Sequence, residues 1–333
     1  MTDANTTSKP ITSFAEFAQR FQSDIAPALL PLERQREAAL AQWNKAIGIF
    51  FVLGAIVALL TALHVIPLVG GGVGLVIVVA IAFAYRSSCY APFIDAYKSQ
   101  VVSRLVKSVH SELEYGPNRG ISVSEFEGSG IFTEGVDRYA CEDEIKGWVE
   151  KTQIRCSEVH AEYKTESRDS KGRRQTQWHT IFRGFFVLVD FNKHFKGNFV
   201  VLPDSAESTL GGIGRWFQSM NVSRDQLIRM DDPDFEKAFV VYGTDQVEAR
   251  YILSTALMQR ILDVRKRSGA NIHIAFTQSV MCLALSRSHD AFEPQITETL
   301  LKPDTHRRHV EDVMFLVGLV ADLNLNTRIW TKE

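Results

Sequence analysis

The largest departure from ordinary hydrophobic–polar alternation is AIGIFFVLGAIVALLTALHVIPLVGGGVGLVIVVAIAFAY, residues 46–85, which holds no Asp, Glu, Lys or Arg. As one α-helix it would extend about 60 Å, roughly twice the hydrocarbon core of a bilayer. Pro67 and the run Gly70-Gly71-Gly72 sit near its middle, where a missing N–H and permissive dihedrals favour a turn. The pattern predicts two apolar helices, 46–63 and 73–90, joined by a short turn, since a helix satisfies its own backbone hydrogen bonds in lipid. Arg34, Arg36 and Lys45 precede the first helix, and Arg86, Lys98, Arg104 and Lys107 follow the second. The turn between them holds only His64 as a titratable group. The positive-inside rule then puts both termini in the cytoplasm and the turn on the far side. A re-entrant hairpin entering and leaving one leaflet is one alternative; a helical hairpin buried in a soluble protein, which would need protein on every face, is another. A cleaved signal peptide does not fit an apolar run this long that begins after some forty-five mostly polar residues.

Small residues recur at four-residue steps inside the hairpin: Gly54, Ala58, Ala62; Gly70, Gly74; Ala80, Ala84. Such spacing lets helix backbones approach closely. Packing of the two spans on each other is the expectation, with homo-oligomerisation through the same faces as the alternative. Upstream, Ser13 and Glu16 match a capping box, and Phe14, Phe17, Phe21 and Ile25 form one apolar stripe that Pro27 and Pro31 are expected to interrupt. The stripe suits docking on the soluble domain, the membrane surface or another protein. Downstream, Phe93, Tyr97, Val101, Leu105, Val109 and Leu113 predict a helix over 91–113, ended by Gly116-Pro117-Asn118.

Beyond this point the period shifts towards two. Strands are expected over 154–163, with a bulge around Ser157 and Glu158, and over 178–191 and 195–202. The loop ESRDSKGRRQTQ joins the first two strands. Its Arg168, Lys171, Arg173 and Arg174 read as a solvated tip, or as contacts to phosphate or lipid headgroups. Further strands are expected over 227–230 and 238–242, and 272–276 with 280–285 reads as a hairpin. Asp232 before Pro233 marks a helix start. Asp245 and Glu248 mark another, running with a break near Ser254 to about Lys266. A last amphipathic helix covers 305–324, with Val310, Val313, Met314, Val317 and Val320 on one face. The sum is an α+β chain: a tail and amphipathic helix (1–45), a transmembrane hairpin (46–90), a juxtamembrane helix (91–115) and a cytoplasmic domain with an antiparallel sheet (116–333).

Two stretches, TIFRGFFVLVDFNKHFKGNFVVLPD (180–204) and MDDPDFEKAFVVYGTDQVEARYILSTALMQRIL (230–262), resemble the bacterial family of unknown function DUF3137. Its pattern runs approximately IFxGxF, then FxGxxxVxPD, then a D-F-x-x-x-F-x-V-Y segment leading into DQxEARYxL, downstream of paired membrane helices. The resemblance implies a domain anchored in the bacterial inner membrane, with a LemA-type membrane protein as a partner class and no assigned activity. The residues themselves read as architecture. Gly184 and Gly197 suggest bulges or close backbone approach, while Phe182, Phe195, Phe235, Phe239 and Tyr242 are spaced as core aromatics. Glu248, Arg250 and Tyr251, charged and aromatic at a helix start, are the candidate ligand or partner contacts, with Arg173 and Arg174.

Charge and composition narrow the chemistry. A net charge of −2 over 333 residues argues against general nucleic-acid binding. Four scattered cysteines without a CxxC pair suit free thiols in a reducing compartment. In HRRHVED (306–312) His306 and His309 lie one turn apart with Glu311 and Asp312 nearby, but lack the H-E-x-x-H spacing, so a solvated basic helix face is expected there, with ligation of a divalent ion as the alternative. Asp231, Asp232 and Asp234 are read as helix capping, with cation binding as the alternative, and GGIG (211–214), without a Walker lysine, as a loop, with phosphate binding as the alternative. No cofactor, metal site or catalytic residue is expected. The function expected is a membrane-tethered interaction module binding a membrane-confined protein or lipid. A membrane-associated hydrolase acting on lipid or peptide is the alternative.

Overall fold

The structure, a computed structural model, describes residues 11, 13–168, 172–191, 195–204, 227–323 and 325. Lys171 and the GGIG of 211–214 lie outside them. The chain divides into two compact units. One is built from Thr12–Leu105 with Phe292–Val310, the other from Val106–Ala291 with the segments Met1–Ile11 and Glu311–Glu333.

The first unit is helical. Helix α1 (Phe14–Arg20) opens on Ser13, whose side chain accepts the Glu16 amide. It runs through a π-turn (Phe21–Ile25) into α2 (Ala26–Ala62). The prolines do not interrupt the helix: the Ala26 N–H bonds to the Phe21 carbonyl, five residues back. This widens the turn just ahead of Pro27, where a proline ring would otherwise crowd the preceding turn. The connection lies earlier than the glycine run. His64 takes φ 59°, and the Val65 and Ile66 amides both bond to the Leu60 carbonyl. Pro67 then starts α3 (Leu68–Ala96), which carries all three glycines inside it. A second π-turn (Tyr97–Val102) and α4 (Ser103–Val109) prolong this helix, which ends four residues short of the expected Leu113. Segment 292–310 completes the unit as an irregular strap ending in a 3-10 turn (Pro303–His306).

Among the described residues of the second unit, nine strands form one sheet, with every adjacent pair antiparallel. They are β1 (Leu113–Gly116), β2 (Arg138–Val149), β3 (Thr152–Arg168), β4 (Arg174–Asp190), β5 (Phe199–Pro203), β6 (Leu227–Ile228), β7 (Phe239–Gly243), β8 (Ile272–Thr277) and β9 (Val280–Ser286), in the order β1-β2-β3-β4-β9-β8-β5-β7-β6. Helix α5 (Val123–Gly128) starts with a full capping box of Ser122 and Glu125. It drops Phe126 against Phe182 and Phe186, with ring centroids 6.1 and 5.1 Å away. Then come α6 (Pro233–Ala238), α7 (Gln246–Ile252), α8 (Thr255–Ser268) and α9 (Arg307–Asp322), the last continuing out of the strap. Asp232 caps α6 by accepting the Asp234 and Phe235 amides, each at 3.0 Å. The expected α+β class is what is found, and all five expected core aromatics are buried.

The bulge near Ser157 exists, but its extra residue sits on the partner strand. The register slips between Glu142 and Ile145 of β2 opposite Glu158 and Cys156 of β3. There Asp143 takes φ 59° and accepts the Tyr115 hydroxyl. Gly184, at φ 145° on β4, lies so close to the Leu285 carbonyl of β9 that a Cβ would overlap it. β2 stops pairing with β3 at Glu162, and β9 stops pairing with β4 at Gly184. Among the described residues, Tyr163–Arg168 and their partners Arg174–His179 therefore pair only with each other. Arg138 covers this ribbon's Trp178 with its guanidinium carbon 3.9 Å above the ring.

Candidate functional site

The hairpin of α2 and α3 presents its side chains outward. In the most apolar 18-residue stretch of each helix only 6% is buried, and each helix is long and apolar enough to cross a membrane. Phe51, Leu68 and Val69 are 79%, 83% and 80% exposed. A soluble helix buries such side chains, because each buried CH₂ is worth about 0.8 kcal/mol. The small residues do what intrachain packing asks of them. A Cβ at Gly71 would overlap the Thr61 side chain, and one at Gly74 would stand 3.1 Å from Val57 Cγ1. At the base of the hairpin Gln42 and Tyr85 share a hydrogen bond of 3.3 Å, and the Phe50 ring lies between Trp43 and Tyr85. Trp43 and Lys45 precede the apolar stretch of α2, and Tyr85 and Arg86 follow that of α3.

In the same unit the strap is tied to the helices by polar groups. Arg36 grips the Glu33 carboxylate with Nε and Nη2 at 3.0 and 2.9 Å and gives Nη1 to the Ile296 carbonyl. Glu33 in turn accepts the Leu300 amide at 2.8 Å. Burial works to raise the Glu33 carboxyl. The bonds from Arg36, Leu300 and Thr299 outweigh it and hold the group at about 2.

The histidines of HRRHVED are not on a solvated face. His306 is fully buried and His309 nearly so. Both Nδ1 atoms point at the Tyr97 hydroxyl, at 3.2 and 2.9 Å, and His306 Nε2 lies 2.9 Å from the Leu300 carbonyl. Phe21 packs on His306 at 5.3 Å, and Lys98 pairs with Glu293 at 2.7 Å. Burial lowers the pKa of both imidazoles. For His309 the nearby positive groups add to this, and the value falls to about 3. Burial, reinforced by the Glu293 charge, pushes the Tyr97 phenol up. The expectation failed because sequence spacing does not reveal a partner 209 residues away.

The residues singled out in the sheet unit have structural partners. Asp245 caps α7 by accepting the Val247 and Glu248 amides. Glu248 does not complete a cap: it accepts the Lys196 and Gly197 amides at 2.9 and 2.6 Å, leaving no room for a side chain at Gly197. Arg250 donates twice to the Arg229 carbonyl. Tyr251 is half exposed beside Val247, which is 80% exposed. These two line a shallow depression with Lys196, Gly197, Thr244 and Asp245. Arg174, on the exposed ribbon, pairs with Glu166 at 3.5 Å, and Arg173 precedes it. The structure thus brings Glu248 and Tyr251 to one depression and places Arg173 and Arg174 on a different element.

Another buried carboxyl, not foreseen from sequence, is Glu158 on β3. It accepts the Ala291 amide at 2.7 Å. Burial, with Asp290, Asp143 and Glu142 adding to it, raises the carboxyl to about 8 despite that bond. Among the described residues no group of three or more His, Cys, Asp or Glu side chains is arranged to hold a metal, and the four cysteines are free.

The model of a family described as proteins of unknown function, DUF3137, covers residues 180–325, from β4 through α9. No curated protein and no solved structure matches.

Proposed function

We propose that this chain, whose residues 180–325 belong to the DUF3137 family, is a membrane-tethered binding module of the bacterial inner membrane. The α2–α3 hairpin inserts in the bilayer, both termini stay in the cytoplasm, and the sheet unit captures a membrane-confined protein or lipid. The observation that carries this reading is the outward-facing apolar surface of the hairpin above its collar of Trp43, Lys45, Tyr85 and Arg86. Tethering raises the effective concentration of a weak binder towards membrane-confined partners. The contact surface is assigned to Val247 and Tyr251 at the exposed start of α7, where a valine 80% exposed and a tyrosine 50% exposed adjoin one depression. Asp245 and Glu248 are both engaged by main-chain amides, which supports binding there rather than hydrolysis.

Two measurements test the two halves separately. After cell rupture and high-speed sedimentation without detergent, the full chain is expected in the membrane pellet and resistant to alkaline carbonate. Recovery in the supernatant overturns the anchor. Proximity crosslinking in intact cells is expected to give adducts that Val247→Asp with Tyr251→Asp removes while leaving the protein in the pellet. Unchanged adducts overturn the assigned surface.

A further inference from the structure

Two separate helices leave the α-helical path at one buried place. Phe21 opens the first π-turn and Tyr97 opens the second, and both rings pack on His306, at 5.3 and 6.1 Å. π-Geometry is rare and concentrates at functional sites. Pro27 offers a local reason for the first. The second, YKSQVV, contains neither proline nor glycine.

The hydrogen bonds fix what the first imidazole presents. His306 Nε2 faces a carbonyl, Leu300 O at 2.9 Å, and a carbonyl only accepts, so Nε2 carries the proton. Nδ1 of the neutral ring is then a bare lone pair directed at the Tyr97 oxygen. His309, three residues on, turns its own Nδ1 to the same oxygen and is also bonded to the Glu293 backbone. A metal-bound histidine is held in this way, one nitrogen on the ion and the other donating to a backbone carbonyl.

We infer that His306 Nδ1, His309 Nδ1 and the Tyr97 oxygen form a binding site for a divalent transition ion of the zinc class. Imidazole suits zinc, cobalt and copper, and three protein donors leave a further position for water or for a carboxylate such as Glu293. Tyr97 supplies the third donor. On binding, the phenol O–H bond breaks, the oxygen pair goes to the ion and the proton leaves to solvent, one per ion. No oxidation or reduction is involved. The buried, neutral imidazoles offer protons little competition with the metal. The rival arrangement is a metal-free chain of hydrogen bonds, His309 Nδ1–H to Tyr97 O and Tyr97 O–H to His306 Nδ1, which would bind no ion.

The test uses the full chain in detergent micelles, stripped with a chelator and titrated with Co²⁺ and, separately, Cu²⁺. One equivalent is expected to bind, Co²⁺ with the intense visible absorption of four-coordination and Cu²⁺ with a tyrosinate charge-transfer band. Tyr97→Phe is expected to abolish that band. His306→Gln with His309→Gln is expected to weaken binding by more than the about 10–100-fold contributed by outer-shell groups. Absence of stoichiometric binding to the unaltered chain overturns the site. So does binding that survives the double substitution, or a Cu²⁺ complex with the same spectrum with and without the Tyr97 hydroxyl. If the double variant fails to fold, the spectra of the unaltered chain and of Tyr97→Phe decide.

Discussion

Glu158 shows how one side chain ties stability to pH. A carboxyl at about 8 in the folded chain and near 4.5 when unfolded is protonated more readily when folded. Its contribution is therefore fully present below pH 4.5 and is lost progressively as pH rises through 8. Each unit of difference is worth about 1.4 kcal/mol, so the loss amounts to a few kcal/mol. Glu158→Gln keeps an oxygen for the Ala291 amide and cannot ionise. The melting temperature of the variant relative to the unaltered chain is expected to climb between pH 5 and pH 9; a difference that stays flat across this range refutes the assignment. Glu33 runs the other way. Held at about 2, it contributes above pH 4.5 and fails as acid takes it towards 2. Neither shift was legible in the sequence, where Glu158 lies at the expected bulge of a β-prone run and Glu33 in a charged segment. Their partners, Ala291 and Leu300, are distant in the chain.

At the scale of elements, Gly184 fixes how closely β4 and β9 approach. Gly184→Ala puts a methyl group into the Leu285 carbonyl at a positive φ. It should cost at least about 1–3 kcal/mol, seen as an earlier denaturation midpoint; an unchanged midpoint would show that the strands can part without penalty. This close approach was readable from a glycine in a β-prone run. So were the hairpin, from its missing charges, and the β3–β4 and β8–β9 pairs, from their alternation. β2 was not. Its RYACEDEIKGWV has no clean period of two, because Asp143 and Glu144 turn inward at the bulge and are 1% and 4% exposed. The proline reading failed for a related reason: a π-turn absorbs what an α-turn cannot.

For the molecule as a whole, the decisive feature is that neither unit is continuous in sequence. The strap 292–310 follows the last strand, yet Glu33, Arg36, Tyr97 and Lys98, all encoded before the first strand, hold it. A fragment of residues 116–333 therefore lacks every one of these partners. Limited proteolysis of that fragment is expected to cut within 292–310 at once, while the same bonds in the full chain in micelles resist; equal resistance would mean that the strap holds itself. Sequence periodicity gave no sign of this interleaving, since it reports local faces and not which distant segment covers them.

The same interleaving sets an order of events during synthesis. The two long helices leave the ribosome before the sheet does, but Glu33, Arg36 and Tyr97 must wait until every strand described in the sheet has been translated before residues 292–310 arrive. Throughout that interval the Glu33–Arg36 pair and the rings of Phe21 and Tyr97 lack the cover that the late segment brings.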